Sequence, residues 1–339
     1  VKTLDLCLLG FGAAGRAFAR LLLEKRADIR VRYDADVRVT AIATARHGSL
    51  TDESGIDLLQ ALETVESDGS LPGREDSLTL ARTAAYDVLI EATPLNIRTG
   101  QPAIDHIRAA LERGRHAVTA NKGPVAWAWD ELRALAEKKG VRLFCETTVM
   151  DGAPVYNLCD HTLPLAQVTE ISGILNSTTN FILERLAAGE EYEAILAEGR
   201  RLGFVEADPA MDVDGYDAAA KITALANVLM GAHTTPDRVE RTGIGGITAA
   251  DLRAAAERGH VIKLLCRAWR EDGRVRTRVA PVKVCQGDLL ATIDATSSVI
   301  SLTTDLMGKL SVVEHAPMIQ QTAYGIFSDV LRVLTEAAL

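Results

Sequence analysis

Aromatic residues are scarce, only 4% of 339, and the chain has no excess of positive charge: 37 Lys and Arg stand against 46 Asp and Glu, a net charge of −9. The acidic balance excludes a broad nucleic-acid-binding face, which needs Lys and Arg to neutralise phosphate. No apolar run reaches the roughly 18 residues of a membrane span, and the opening VKTLDLCLLGFG lacks the length and cleavage site of a signal peptide. A cytoplasmic protein with no membrane or nucleic-acid partner is expected. Cysteines number five, Cys7, Cys145, Cys159, Cys266 and Cys285, an odd and scattered set without CxxC spacing. Neither a disulfide framework nor a thiolate zinc site follows from them; buried small hydrophobes do.

What is present is core-forming material, because 47% of the residues are hydrophobic and long polar tracts are missing. At roughly 150 residues per domain the length allows about two domains. Strand-like runs at Leu4–Leu9, Val37–Ala43, Asp87–Ala92, His116–Thr119 and Val141–Cys145 alternate with helical stretches near 103–113 and 127–139. That alternation predicts a parallel sheet with right-handed crossovers. The polar stretch 66–77 reads as a surface loop. Beyond Met150 the pattern changes to a strand at VTEISGILN, helices near 179–188, 193–202 and 217–230, β-rich sequence from 261 to 313, and a closing helix.

The first strand ends in Gly10-Phe11-Gly12-Ala13-Ala14-Gly15 and runs into a helix. In that context GxGxxG is a dinucleotide fingerprint: one glycine for the tight turn, one for approach to the pyrophosphate, one for helix packing, with phosphate at the helix N-terminus. An NAD-type carboxylate is expected after the second strand, but Asp34 and Asp36 precede it. Arg46 follows it instead, a cation suited to the 2′-phosphate of NADP. NADP is therefore favoured, with NAD left open and an ordinary exposed arginine as the alternative.

Six further segments, EATPLNIRTGQPAIDHI, AVTANKGPVA, ETTVMDGAPV, GILNSTTNFIL, GFVEADPAMDVDGYDAAAK and QTAYGIFSDVL, occur in an order that resembles homoserine dehydrogenase over nearly the whole chain. The resemblance implies an α/β fold, with a Rossmann-like dinucleotide-binding domain at 1–147 and an α+β homoserine-binding and dimerisation domain at 148–320. A helix at 321–339 is expected to return to the first domain. It also implies a homodimer or larger homo-oligomer, and a core form without a C-terminal regulatory domain. The implied reaction interconverts L-aspartate 4-semialdehyde and L-homoserine, in the biosynthesis of threonine, methionine and isoleucine.

Hydride transfer to an aldehyde builds negative charge on oxygen, which a cation or proton donor must meet. Asp217 and Lys221 lie at i and i+4 of a predicted helix and share a face. They match the family's reacting-end pair, with Lys221 the proton donor to the alkoxide; on spacing alone an exposed helix ion pair is the simpler account. Lys122, after a strand at the ligand edge of the sheet, matches a second active-site lysine beside the nicotinamide. Glu206 and Asp212 match carboxylates for the substrate's ammonium, although Asp212 also suits a helix N-cap. Thr178 matches a backbone contact to substrate, while helix N-terminal capping by the Asn176, Ser177 and Thr178 cluster could hold at the same time, and Thr93 matches a cofactor contact. Gly203 matches a cofactor-adjacent glycine, where a helix-ending glycine would serve equally.

Glu146 and the backbone of Val149, Asp151 and Ala153 match a monovalent-cation site such as one for sodium. Met150-Asp151 departs from the family's glycine-rich version. So does EHAPMIQQTA at 314–323, in place of a glycine-rich turn. Another NAD(P)-linked dehydrogenase of a small amino acid or semialdehyde, and a non-catalytic dinucleotide sensor, are the competing readings. The first leaves the EADP…D…DxxxK segment as coincidence; the second predicts loss of a charged active-site residue, whereas Lys122, Glu206, Asp217 and Lys221 are all present.

Overall fold

The computed structural model describes residues 1–203, 205 and 209–336, which divide into two compact units. Unit 1 comprises Val1–Tyr156 with Met318–Leu339, and unit 2 is Asn157–Pro317. The chain therefore crosses over at 156/157 and 317/318 rather than at 147/148 and 320/321. Hydrogen bonds account for the difference: the Tyr156 N–H donates to Glu146 at 2.8 Å and the Thr322 hydroxyl to Asp151 at 2.7 Å, holding the flanking segments on unit 1.

Unit 1 begins β1 (Lys2–Leu9), α1 (Ala13–Tyr33), β2 (Ala35–Thr44), β3 (Gly48–Thr51), α2 (Leu58–Asp68), α3 (Ser77–Thr83), β4 (Val88–Glu91) and α4 (Ala103–Glu112). It continues through β5 (His116–Thr119), α5 (Lys122–Trp127), α6 (Trp129–Lys139) and β6 (Leu143–Phe144). The sheet order is β3-β2-β1-β4-β5-β6, parallel except that β3 folds back antiparallel on β2. That antiparallel edge hairpin was not expected from the sequence.

Alternating side chains of β1 feed two cores, as the period of a strand requires. Leu6 and Leu8 join Phe18, Val39 and Ile42 on one face, while Cys7 and Leu9 join Ala41, Ala43 and Leu111 on the other. The one-residue shift at Thr40 makes this consistent, since Leu6 pairs Val39 but Cys7 pairs Ala41. The stretch 66–77 is not wholly loop: α2 runs to Asp68, Leu71 is buried, and Gly73 bridges to Ser49.

Unit 2 carries most of α7 (Val155–Thr162), then β7 (Val168–Ile174), α8 (Ser177–Ala187), α9 (Tyr192–Leu202), α10 (Ala210–Val213) and α11 (Tyr216–Met230). There follow β8 (Glu240–Arg241), α12 (Ala249–Ala256), β9 (His260–Glu271), β10 (Arg274–Cys285), β11 (Ser298–Thr304) and β12 (Gly308–Glu314). Its sheet runs β12-β11-β7-β9-β10-β8, antiparallel apart from the β8–β10 pair. Small buried residues on α11, among them Ala218, Ala219 and Ala220, let it lie close to β9, where the Cys266 thiol meets the Ala218 carbonyl at 3.8 Å.

The last helix, α13 (Ile319–Glu336), packs against α1 of unit 1. Ala323, Ile326, Phe327, Val330 and Val333 form its buried stripe at helical spacing. In place of a glycine-rich turn before α13, Ala316 takes a left-handed φ of 41° and the Gln321 side chain accepts from the Met318 N–H at 2.9 Å.

Candidate active site

Each unit presents one cluster at the positions singled out by sequence. In unit 1 it lies at the carboxyl edge of the parallel strands, where ligands bind open α/β sheets. Gly10 has φ 101°, and a Cβ there would lie 2.2 Å from the Ala92 carbonyl oxygen. A Cβ on Gly15 would meet the Gly10 carbonyl oxygen at 2.1 Å. Gly12 faces open space and begins α1 without a capping side chain, and no acidic residue stands in the first turn, where Ala13, Ala14 and Gly15 lie. Backbone N–H groups and an uncompensated positive helix end are thus left for an anion. The residues fit a pyrophosphate.

Arg46 is exposed in the turn between β2 and β3, beyond the carboxyl end of β2. Asp34 caps the end of α1 and Asp36 opens β2, so both lie at the opposite end of that strand. Arg74, which the sequence reading missed, comes close to the same turn: a Cβ on Gly48 would be 3.5 Å from its guanidinium.

Thr93 follows β4, and its hydroxyl and N–H both donate to the carboxylate of Glu91, a residue with no solvent exposure. The Asn121 side chain donates to the Thr93 carbonyl at 3.1 Å and caps α5 by accepting from the Gly123 N–H at 2.9 Å. Those bonds fix the loops after β4 and β5 together. Lys122, half-buried, is the first residue of α5.

In unit 2 the centre of the second cluster is Asn176, a buried residue that caps α8. Its amide oxygen accepts from the Thr179 N–H at 2.8 Å, while its nitrogen donates to Asp212 at 2.6 Å and to Asp217 at 2.9 Å. Lys221 donates to the Leu175 carbonyl at 2.6 Å and lies 3.4 Å from Asp217. The i, i+4 pair is mostly buried, with side-chain exposures of 19% and 15%, unlike the exposed ion pair that spacing alone would suggest. Burial and the neighbouring Asp217 push the Asp212 carboxyl above its ordinary range, against bonds from Asn176 and Thr178 and the charge of Lys221. Asp212 sits in α10 and does not cap α11, whose cap is Gly215. Thr178 is buried in the first turn of α8. One cation, two carboxylates and a fixed amide donor in a partly desolvated cluster can hold an ammonium and deliver a proton.

A family model described as homoserine dehydrogenase matches residues 154–331, and one described as homoserine dehydrogenase, NAD binding domain, matches 10–146. The homoserine dehydrogenase of Methanocaldococcus jannaschii is 36% identical over 97% of this chain and 98% of its own. The chain belongs to the homoserine dehydrogenase family. Its members are NAD(P)-dependent oxidoreductases acting on CH–OH.

A putative homoserine dehydrogenase from Archaeoglobus fulgidus superposes with a TM-score of 0.89 at 36% identity, covering 98% of this chain and 99% of that one. Family members differ in cofactor. An NAD(+)-dependent homoserine dehydrogenase from Pseudomonas canavaninivorans is 32% identical over 97% of this chain and 95% of its own. A hyperthermophilic archaeal homoserine dehydrogenase in complex with NADPH superposes at TM-score 0.83 and 26% identity, covering 98% of both chains.

Against the homoserine dehydrogenase pattern, Asp212, Asp217, Lys221 and Thr178 come together in unit 2, joined by Asn176, which entered the sequence reading only as a helix cap. Gly203 ends α9 in the left-handed region at φ 86°, so its conformation follows from the helix end alone. Glu206 lies outside the described residues.

The segment matched to a cation site is in unit 1. Glu146 is buried, and its N–H donates at 2.9 Å to Asp329, which is buried too. The second oxygen of Asp329 has no hydrogen-bond partner, and burial pushes its carboxyl up to about 8 against the charge of Arg332. Asp151 has a left-handed φ of 40°. The Ala153 carbonyl already accepts from Val155 at 2.9 Å. No helix among the described residues is long and apolar enough to cross a membrane.

Proposed function

We propose that the chain interconverts L-aspartate 4-semialdehyde and L-homoserine with NADP preferred over NAD, in the biosynthesis of threonine, methionine and isoleucine. The observation that carries this reading is the Lys221–Asp217–Asp212–Asn176 cluster, because it supplies opposite fixed charges for an amino acid and a proton donor for an alkoxide.

Bound NADPH supplies the hydride. Lys221 gives the proton to the forming alkoxide in the reducing direction and takes it back in the oxidising one. Asp217 and the Leu175 carbonyl aim its ammonium. Asp212 holds the substrate ammonium together with Glu206, and the backbone at Thr178 meets the substrate. On the cofactor side Gly10, Gly12, Ala13, Ala14 and Gly15 shape the pyrophosphate turn. Thr93 and Gly203 are assigned to the same ligand, and Lys122 is assigned the second cation of the reaction.

NADP is preferred because Arg46, with Arg74 close to the same turn, places positive charge beyond β2 while Asp34 and Asp36 lie at its other end. A monovalent cation held by Glu146 and the backbone of Val149, Asp151 and Ala153 is part of this proposal. Self-association through unit 2, as a homodimer or larger homo-oligomer, and a cytoplasmic location belong to the same reading. The test is nicotinamide absorbance during L-homoserine oxidation with NADP⁺ or NAD⁺. Turnover favouring NADP⁺ is expected, and none with either cofactor would refute the proposal.

A further inference from the structure

The thiol of Cys285, last residue of β10, lies 3.5 Å from Nε2 of His260, its cross-strand partner at the start of β9. The other ring nitrogen of His260, Nδ1, is 2.7 Å from the Arg258 carbonyl oxygen. A carbonyl only accepts, so Nδ1 carries the hydrogen and Nε2 presents its lone pair to the thiol. A nucleophile, a base within reach and a third group that orients the base form the arrangement that activates thiols. This cysteine is exposed, whereas Cys7, Cys145 and Cys266 are buried and Cys159 is intermediate. Burial raises the Cys7 and Cys266 thiols to about 12, which makes them poor nucleophiles. Neither Cys285 nor His260 belongs to the clusters described above.

We propose that Cys285 and His260 form a reactive dyad, a covalent modification site for small disulfides. His260 Nε2 takes the thiol proton. The Cys285 sulfur then attacks one sulfur of the small disulfide; a new S–S bond forms, the original one breaks, and the other half leaves as a thiolate. No further oxidant is needed.

The probe is 5,5′-dithiobis(2-nitrobenzoate) at pH 7, with the labelled cysteine assigned by peptide mass. In the native protein Cys285 is expected to label first, and His260→Gln, which keeps the side chain's reach but removes the base, to slow it by about tenfold. In guanidinium all five cysteines should label alike in both proteins, showing that the difference belongs to the fold. First labelling at Cys159, or a His260→Gln rate equal to that of the unsubstituted protein, would overturn the proposal.

Discussion

The cofactor end of unit 1 and the charged cluster of unit 2 are built by opposite means. The first is made of backbone: three glycines whose missing side chains open a helix end, with exposed arginines at a neighbouring turn. The second is made of side chains, Asn176, Asp212, Asp217 and Lys221, bonded to one another and largely buried. Backbone sites break through shape and strain, side-chain sites through charge and proton transfer. Substitutions in the two places should therefore fail differently.

The largest effect expected is from Gly10→Ala, which combines a φ of 101° with a Cβ 2.2 Å from a carbonyl oxygen. Strain and overpacking together cost about 2–6 kcal/mol, a large share of a domain's stability. Thermal unfolding should show a drop of many degrees or no folded protein. Gly12→Ala sharpens the point, since its Cβ meets nothing within 4 Å. It should melt near the parent temperature yet bind NADP⁺ more weakly by fluorescence titration.

Next comes Asn176→Ala, which removes a cap worth about 1 kcal/mol and leaves Asp212 and Asp217 without a shared donor. The homoserine KM should rise, and the melting temperature should fall by only a few degrees. A smaller effect should separate pH profiles. The raised Asp212 carboxyl protonates, as pH falls, earlier than an ordinary aspartate, so homoserine affinity should weaken above the usual carboxylate range. Asp212→Asn should have a weaker affinity that no longer follows that ionisation. Smallest is Arg46→Ala: the KM for NADP⁺ should increase roughly tenfold, the size of one exposed charge-assisted contact, with NAD⁺ kinetics unchanged.

The same contrast governs what could be read in the chain. The glycine turn was legible because strand, GxGxxG and helix are contiguous and each glycine has its own steric reason. Asp217 and Lys221 were legible as a pair by helical spacing, but their burial and the role of Asn176 depend on Leu175, Asp212 and α8, brought together only by folding. The four-residue β3 and six-residue α5 are too short to show a period, and α5 starts on a cap at Asn121 rather than an apolar pattern. Helix α2 does carry one, with Leu58, Ala61, Leu62 and Val65 buried, but it runs into the polar stretch that read as loop. Glu91 bonds Thr93 only two residues on, yet its complete burial is set by folding, and Arg74 nears Gly48, which is remote in sequence; no local signal marks either.

The most direct test of the account is the steady-state kinetics of homoserine oxidation by Lys221→Ala, with folding checked by thermal unfolding. Loss of a proton-transfer group should lower kcat by at least about 10²-fold while the KM for homoserine and the melting temperature stay close to the parent. A folded variant that keeps its kcat would contradict the assignment of Lys221 as proton donor and, with it, the division of labour between the two units.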